Sequence, residues 1–383
     1  MANLRHSHTS HNNCAQNSMV EVTVIIPTLN EEKTIATCIQ KIKKVFKEYN
    51  IKGEIIVSDS STDKTPQIAK KLGAKVVHPD RRGYGYAYIY AFKHAKGKYI
   101  VMGDGDDTYD FLEMPRLLEP LMKDEADLVI GSRFKGRMER NAMPWLHRWI
   151  GNPILTWFLN LFFKAGVSDA HCGFRAIRRD ALEKMRLRSH GMEFASEMII
   201  EATRLGFRIT EVPVNYYARK SGKSKLNSFS DGWRHLRFML LHTPTWLFMY
   251  PGFFLLITGA ILIASALLNI YIGYMPGAHS MVAGSLLTLV GYQALFFGLF
   301  AKIVEGKKPI KFLTLERGAA LGVLILIAGL IWTCKLMLKW TSGGGLPLIE
   351  QSIVGLVLIV LGLQTFFSSF MLSIVAGRCG VNR

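Results

Sequence analysis

At 383 residues the chain has room for a full α/β domain and a second region: charged residues crowd the first 245 positions, and four long apolar stretches fill the rest. An excess of 47 Lys+Arg over 29 Asp+Glu, net +18, points to anionic partners, and the apolar half favours lipid headgroups or phosphorylated substrates over nucleic acid. Five cysteines (Cys14, Cys38, Cys172, Cys334, Cys379) form no Cys-x-x-Cys pair and no metal-ligand spacing, so they read as reduced thiols facing a cytosolic compartment.

Residues 1–18, with His6, His8 and His11 among many Asn and Ser, have no apolar periodicity and are expected to be a disordered lead, not a signal peptide. Residues 20–27 then form a continuous apolar strand ending at Pro27-Thr28-Leu29-Asn30-Glu31-Glu32, where Asn30 is placed to cap a helix over residues 32–49. A second strand, 54–59, ends at Asp59, and Ser60 to Thr65 supply a turn and another helix start. Residues 74–77 are a third strand, and Gly83-Tyr84-Gly85-Tyr86 opens a third helix.

The fourth strand, Tyr99-Ile100-Val101-Met102, stops at Asp104-Gly105-Asp106-Asp107. Three carboxylates within four residues repel one another unless a cation or a proton lies among them, and hard ions such as Mg²⁺ or Mn²⁺ favour such oxygens. The competing reading is a solvated acidic turn before the next helix. Strands alternating with helices at short spacing imply right-handed crossovers and a parallel sheet, whose ligands bind at the carboxyl ends of the strands. Asn30, Asp59, Asp104 and Asp106 all fall at such ends, which argues for one nucleotide-sized site.

Beyond the acids, residues 126–130 are a further strand ending at Gly131-Ser132-Arg133. A helix over about 144–165 carries Arg148 and Asn152 four apart on one face. A polar loop, residues 169–175, interrupts the pattern, and a helix over 193–204 sets Glu193, Glu197 and Glu201 at helical spacing, on a solvated or a functional face. Residues 208–214 form a last strand. The basic segment 217–225 suits a clamp over phosphates or a surface loop near anionic lipid. Residues 229–241 are amphipathic and fit an interfacial helix. Apolar stretches at about 246–273, 281–301, 319–338 and 352–376 are each long enough to cross ~30 Å of hydrocarbon. Lys302, Lys307, Lys308, Lys311 and Arg317 in the second connection, with Arg378 and Arg383 at the tail, put that connection, both termini and the globular region inside the cell.

The runs Val24-Ile25-Ile26-Pro27-Thr28-Leu29-Asn30-Glu31-Glu32, Ile56-Val57-Ser58-Asp59-Ser60-Ser61-Thr62-Asp63 and Asp104-Gly105-Asp106-Asp107 resemble those of family 2 glycosyltransferases with the GT-A fold. Gly131-Ser132-Arg133, Cys172-Gly173-Phe174-Arg175 and Arg219-x-x-Gly222-x-Ser224-Lys225 are similar to the dolichol-phosphate mannose or glucose synthase branch, and the likeness covers residues 20–245. Together with the apolar and charge pattern, it gives an expected GT-A domain over 19–228, an interfacial helix over 229–245, four transmembrane helices over 246–376 and a cytoplasmic tail over 377–383, the last three read from the residues themselves. The implied reaction is inverting transfer of a hexose from a UDP- or GDP-sugar to a polyprenyl (dolichyl or undecaprenyl) phosphate, and it allows a homo-oligomer.

By position, the resemblance puts Pro27, Asn30, Glu31 and Asp59 around the nucleotide, and Asp104 and Asp106 around a divalent cation (Mg²⁺ or Mn²⁺) and the diphosphate. Arg133, Arg148 and Asn152 would meet the acceptor phosphate, while Arg219, Ser224 and Lys225 would close over the donor. Asp169 matches an acid near the sugar; Asp106, Asp169 and Arg133 are the expected catalytic groups. Two other readings are a processive polysaccharide synthase, whose Gln-x-x-Arg-Trp motif is absent from this sequence, and a non-catalytic membrane scaffold or flippase.

Overall fold

β1 (Val22–Thr28) is buried at every position except Pro27, as a strand covered on both faces must be, and it lies inside the sheet between two parallel neighbours. These are β2 (Gly53–Asp59) and β4 (Tyr99–Met102); β3 (Lys75–Val77) extends the parallel set at one edge. β5 (Leu128–Ser132) and β7 (Ile209–Pro213) pair in parallel on the other side. Between β4 and β5 runs β6 (Arg175–Arg178), antiparallel to both, so the order is β3-β2-β1-β4-β6-β5-β7. This computed structural model describes residues 20–220, 228–306 and 314–378.

The mostly parallel sheet agrees with the sequence, but β6 does not appear there. Residues 169–175 are expected only as a loop; the structure starts a strand at Arg175. Four residues reading Arg-Ala-Ile-Arg are too short for periodicity to register.

α1 (Ile35–Glu48) turns Ile35, Cys38, Ile39, Ile42 and Val45 onto the sheet, the spacing of one helical stripe. It starts later than residue 32 because Glu31 carbonyl accepts from the N–H groups of Thr34 and Ile35 in a tight turn. Asn30 is not its cap: it adopts φ 60°, and the N-cap is Thr34. The remaining helices of this unit are α2 (Thr65–Lys71), α3 (Tyr84–Phe92), α4 (Met114–Met122), α5 (Asn152–Phe163), α6 (Arg179–Lys184), α7 (Phe194–Arg204) and α8 (Ser228–Leu241).

The stretch 144–165 is not one α-helix. A π-turn, His147–Gly151, precedes α5, and Lys164 ends α5 with φ 58°. The cause is Pro153: it has no N–H to give the carbonyl of Trp149, and its ring crowds that carbonyl, so the turn widens. The same arrangement recurs at Thr245–Met249, just before Pro251.

The chain divides into two compact units, residues 1–239 and 240–383. The second holds α9 (Tyr250–Leu268), α10 (Ala278–Val304), α11 (Leu315–Thr341) and α12 (Ile349–Arg378). With the π-turn counted into the first, all four are long and apolar enough to span a bilayer. Glycines let them approach closely: a Cβ on Gly291 would lie 2.6 Å from the carbonyl oxygen of Gly252, and one on Gly362 would lie 2.5 Å from the Leu326 nitrogen. Tyr292 and Thr365 join α10 to α12 through their hydroxyls at 2.6 Å.

Candidate functional site

Parallel register sets the first half of the site. Thr28 is level with Asp59, and its hydroxyl donates to Asp59 Oδ1 at 2.7 Å. Past the strand end, Asn30 binds the β2–α2 loop from both sides: its N–H donates to Ser61 Oγ at 2.8 Å and its Oδ1 accepts from Thr62 N–H at 2.8 Å. Glu31 N–H donates to Thr65 Oγ1 at 2.9 Å. Pro27, Asn30, Glu31 and Asp59 thus form one corner of the sheet edge, with His78 Nδ1 3.8 Å from Asp59 Oδ2.

β4 delivers the acids beside that corner, and their environments separate them. Asp107 adopts φ 59°, is buried, and is neutralised by Lys41 at 2.7 Å and Lys220 at 2.5 Å. Asp106 Oδ1 accepts from Thr108 N–H at 3.1 Å and from its hydroxyl at 2.6 Å, while Oδ2 pairs with Arg219. Among the described residues, Asp104 has the Tyr84 hydroxyl as its one hydrogen-bond donor, to Oδ1 at 3.1 Å. Burial first, and the charge of Asp106 second, push the Asp104 carboxyl up to about 7.

Asp104 is thus a carboxyl kept from water beside a second acid, with the Tyr84 hydroxyl as its hydrogen-bond donor among the described residues. Two carboxylates do not make a closed cage, and no cluster of three ligating side chains exists among the described residues. The donor set therefore fits a hard divalent ion that draws its remaining oxygens from substrate phosphate and water.

The segment after β7 supplies the cations. Val214 N–H donates to Ser132 carbonyl at 3.2 Å, Tyr216 N–H to Arg137 carbonyl and Tyr217 N–H to Thr108 carbonyl, both at 2.9 Å. This backbone pairing brings Arg219 to Asp106 and within 3.7 Å of Glu31. Ser224 and Lys225 lie outside the described residues.

The antiparallel strand β6 explains why residues 169–174 belong to the site, since its first residue, not its last, lies at the carboxyl edge beside Met102. A Cβ on Gly173 would sit 2.8 Å from Asp104 Oδ2 and 3.0 Å from the Tyr84 hydroxyl, so any larger residue here would displace the Asp104 carboxyl. Arg175 is fully buried and donates to three carbonyl oxygens, of Cys172, Ala195 and Ala170, at 2.7, 2.7 and 2.8 Å. It holds the loop against α7.

Asp169, the acid expected near the sugar, pairs with Arg133. Its carboxylate is fully buried and takes Arg133 Nε at 2.7 Å, Nη2 at 2.8 Å and backbone N–H at 3.1 Å. It is a group that holds Arg133, and Arg133 spends two of its donors in return. Arg148 and Asn152 are not the expected pair on an α-helical face. The π-turn sends Asn152 N–H back to His147 carbonyl, Asn152 Nδ2 turns to Met143 Sδ at 3.3 Å, and Arg148 lies over the Trp149 ring at 5.3 Å.

Glu197 is buried and accepts from Arg188 and Ser189 N–H at 2.9 and 2.8 Å, a structural role; Glu201 pairs with Arg204 at 3.3 Å. Beneath the loop, the rings of His171 and His235 meet edge to face at 4.5 Å, and Ser196 Oγ lies 3.0 Å from His235 Nδ1. Burial first, then neighbouring positive groups, hold His171 well below its ordinary pKa, and burial takes His235 down to about 4. Sequence reasoning did not connect Tyr84, Thr108, Lys41 or Lys220 to the acids. Only the position of Lys220 beside Arg219 gave a signal.

Fold and site together define a GT-A glycosyltransferase joined to a membrane-spanning helical region. The chain belongs to glycosyl transferase family 2: residues 23–186 match that family, and residues 307–376 match the glycosyltransferase family 2 C-terminal transmembrane region. The low-salt glycan biosynthesis hexosyltransferase Agl6 of Haloferax volcanii is 45% identical over 364 residues, 92% of this chain and 88% of that protein. Glycosyltransferase AglJ of the same organism is 31% identical over 297 residues, 74% of this chain and 93% of that one. A dolichyl-phosphate hexose transferase, again from Haloferax volcanii, is 32% identical over 212 residues, 55% of this chain and 89% of that protein.

Proposed function

We propose that the protein transfers a hexose from a nucleoside diphosphate sugar to a polyprenyl phosphate, with inversion, at the cytoplasmic face of the membrane. The observation that carries this reading is the pair Asp104 and Asp106 at the sheet edge, faced by Arg219, in a chain that also has four membrane-length apolar helices. The names of its relatives, a hexosyltransferase and a dolichyl-phosphate hexose transferase, support the hexose and the lipid phosphate. Basic Lys302 and Arg317, flanking the second connection, support the cytoplasmic orientation.

Asp59, Asn30 and Glu31 would border the nucleoside, and Asp104 and Asp106 would hold a divalent cation. When bound, such an ion supplies charge neutralisation at the leaving diphosphate. An oxygen of the acceptor phosphate forms the new bond to the anomeric carbon. The bond from that carbon to the donor diphosphate breaks, and the electron pair leaves with the nucleotide. The acceptor is already ionised at neutral pH, so no side chain has to remove a proton. Arg219 offsets charge that develops on the diphosphate. Arg133, held rigid by Asp169, and Arg148 offset the repulsion between two approaching anions.

Membranes containing the protein, incubated with radiolabelled UDP- and GDP-hexoses and polyprenyl phosphate, should yield label in the lipid extract. Label that stays wholly in the aqueous phase, or that enters a long polymer, would overturn the assignment.

A further inference from the structure

Asp106 Oδ1 accepts from the Thr108 N–H at 3.1 Å and from its hydroxyl at 2.6 Å, so a further charge meets this acid at Oδ2. Arg219 pairs with that oxygen through Nη2. A hard divalent ion held by Asp104 and Asp106 needs the same oxygen, in direct contact. Guanidinium and ion would then crowd one oxygen and repel each other, so the two are alternatives there.

Arg219 cannot yield by withdrawing its backbone. Tyr217 N–H donates to Thr108 carbonyl at 2.9 Å, Ala218 N–H donates to Glu139 Oε2 at 2.8 Å, and Lys220 Nζ lies 2.5 Å from Asp107 Oδ2. Bonds on both sides of residue 219 leave its side chain, 29% exposed, as the part that moves. A second acid stands beside it: Glu31 Oε1 is 3.7 Å from Nη1, in a side chain only 10% exposed. The separation of Glu31 from the acidic loop is itself set. Thr34 N–H donates to Glu31 carbonyl at 3.1 Å, and the Thr34 hydroxyl donates to Gly105 carbonyl at 2.8 Å. One guanidinium therefore spans two acids held at a fixed spacing.

We propose that Arg219 and the divalent ion exchange places at Asp106 Oδ2, and that Glu31 is the positioning residue that receives the displaced guanidinium. Arg219 leaves Asp106 when the ion is bound, and Glu31 keeps it within the site, free to meet the donor diphosphate. The ion alone binds weakly, since a cation has to give way. With a diphosphate present it binds well, because the freed arginine gains a new anion. The inference rests on the ion and donor assigned above, and adds that they load together.

The test reads Mn²⁺ binding to the full chain in detergent micelles, without nucleotide, from the electron spin resonance of the free ion. Only Mn²⁺ lost in Asp106→Asn is counted. Arg219→Gln should tighten that binding about tenfold, and Glu31→Gln should weaken it several-fold. In the double variant the Glu31 effect should largely vanish, because no guanidinium remains to be placed. Lys41→Gln removes the same charge from the neighbouring Asp107 and sets the effect of charge alone, about twofold. Arg219→Lys, which loses the two-pronged grip on acids, should tighten binding by an intermediate amount even where Arg219→Gln fails to fold. Equal tightening in Arg219→Gln and Lys41→Gln would overturn the exchange and leave the ion assignment standing. A Glu31→Gln effect of one size with and without Arg219 would overturn the role of Glu31. Wild-type protein that binds no Mn²⁺ at Asp106 would overturn the ion assignment and this inference with it.

Discussion

Arg219 pairs with Asp106 across 113 positions of sequence, and the next residues repeat the pairing, Lys220 with Asp107 at 2.5 Å. Neighbouring acids on one segment thus meet neighbouring bases on another, with different environments. Asp107 is closed off between two lysines, whereas Asp106 shares its edge with Asp104, a carboxyl kept from water.

The two acids should therefore respond oppositely to amide substitution. Asp106→Asn should lower turnover at least a hundredfold, with the melting temperature nearly unchanged. Asp107→Asn should keep its divalent-ion requirement but melt lower, because Lys41 loses a buried partner. Parallel assays of sugar transfer and thermal unfolding decide this, and a swap of the two phenotypes would refute the division of labour.

The Arg133–Asp169 pair predicts a double-mutant cycle. Asp169→Leu alone strands a buried guanidinium and should cost about 3–5 kcal/mol of stability. Arg133→Met in the same chain should recover part of that loss. If Asp169→Leu lowers activity without lowering stability, Asp169 belongs at the sugar after all.

Tyr84 donates to Asp104, and Gly173 packs against both side chains. Tyr84→Phe should raise the divalent-ion concentration needed for half-maximal binding several-fold, read by titration calorimetry without sugar, with little loss of stability. Gly173→Ala pushes a methyl group into Asp104 and should remove ion binding while the fold persists.

The histidine pair makes the catalytic unit acid-sensitive. An unfolded chain takes up protons near pH 6.5, but His235 does so only near 4, and His171 is held well below its ordinary range. Stability present above 6.5 is therefore lost as pH falls toward 4, on the order of 3 kcal/mol from His235 alone. Glu193 and Asp231 face His235 and favour its charged form, whereas Arg175 opposes it. Chemical denaturation between pH 7 and 4.5 should show this decline, and it should be smaller in His235→Gln.

Membrane orientation is testable with single cysteines in a background lacking the native ones. A cysteine at Gly277, just before α10, should react with an impermeant thiol reagent on intact cells, and one at Gly306, just after it, only after permeabilisation. The reverse pattern would move the catalytic unit to the outer face.

Sequence alone was sufficient for the parallel strands, the edge on which Asp59, Asp104 and Asp106 lie, and the four spans, because these rest on local periodicity and on strands ending at acids. It could not supply β6, whose four residues gain their pairing only from β4 and β5. Nor could it say which partner each acid has: Lys41, Tyr84 and Lys220 reach the cluster from elements distant in sequence, and charge compensation depends on distance in space. The same holds for Asp169, which family likeness places at the sugar and which the fold seals against Arg133. Helical spacing aligned Arg148 with Asn152 until Pro153 widened the turn between them. Periodicity is a property of the chain, but burial and pairing belong to the packed molecule, and these decide what each charged side chain is free to do.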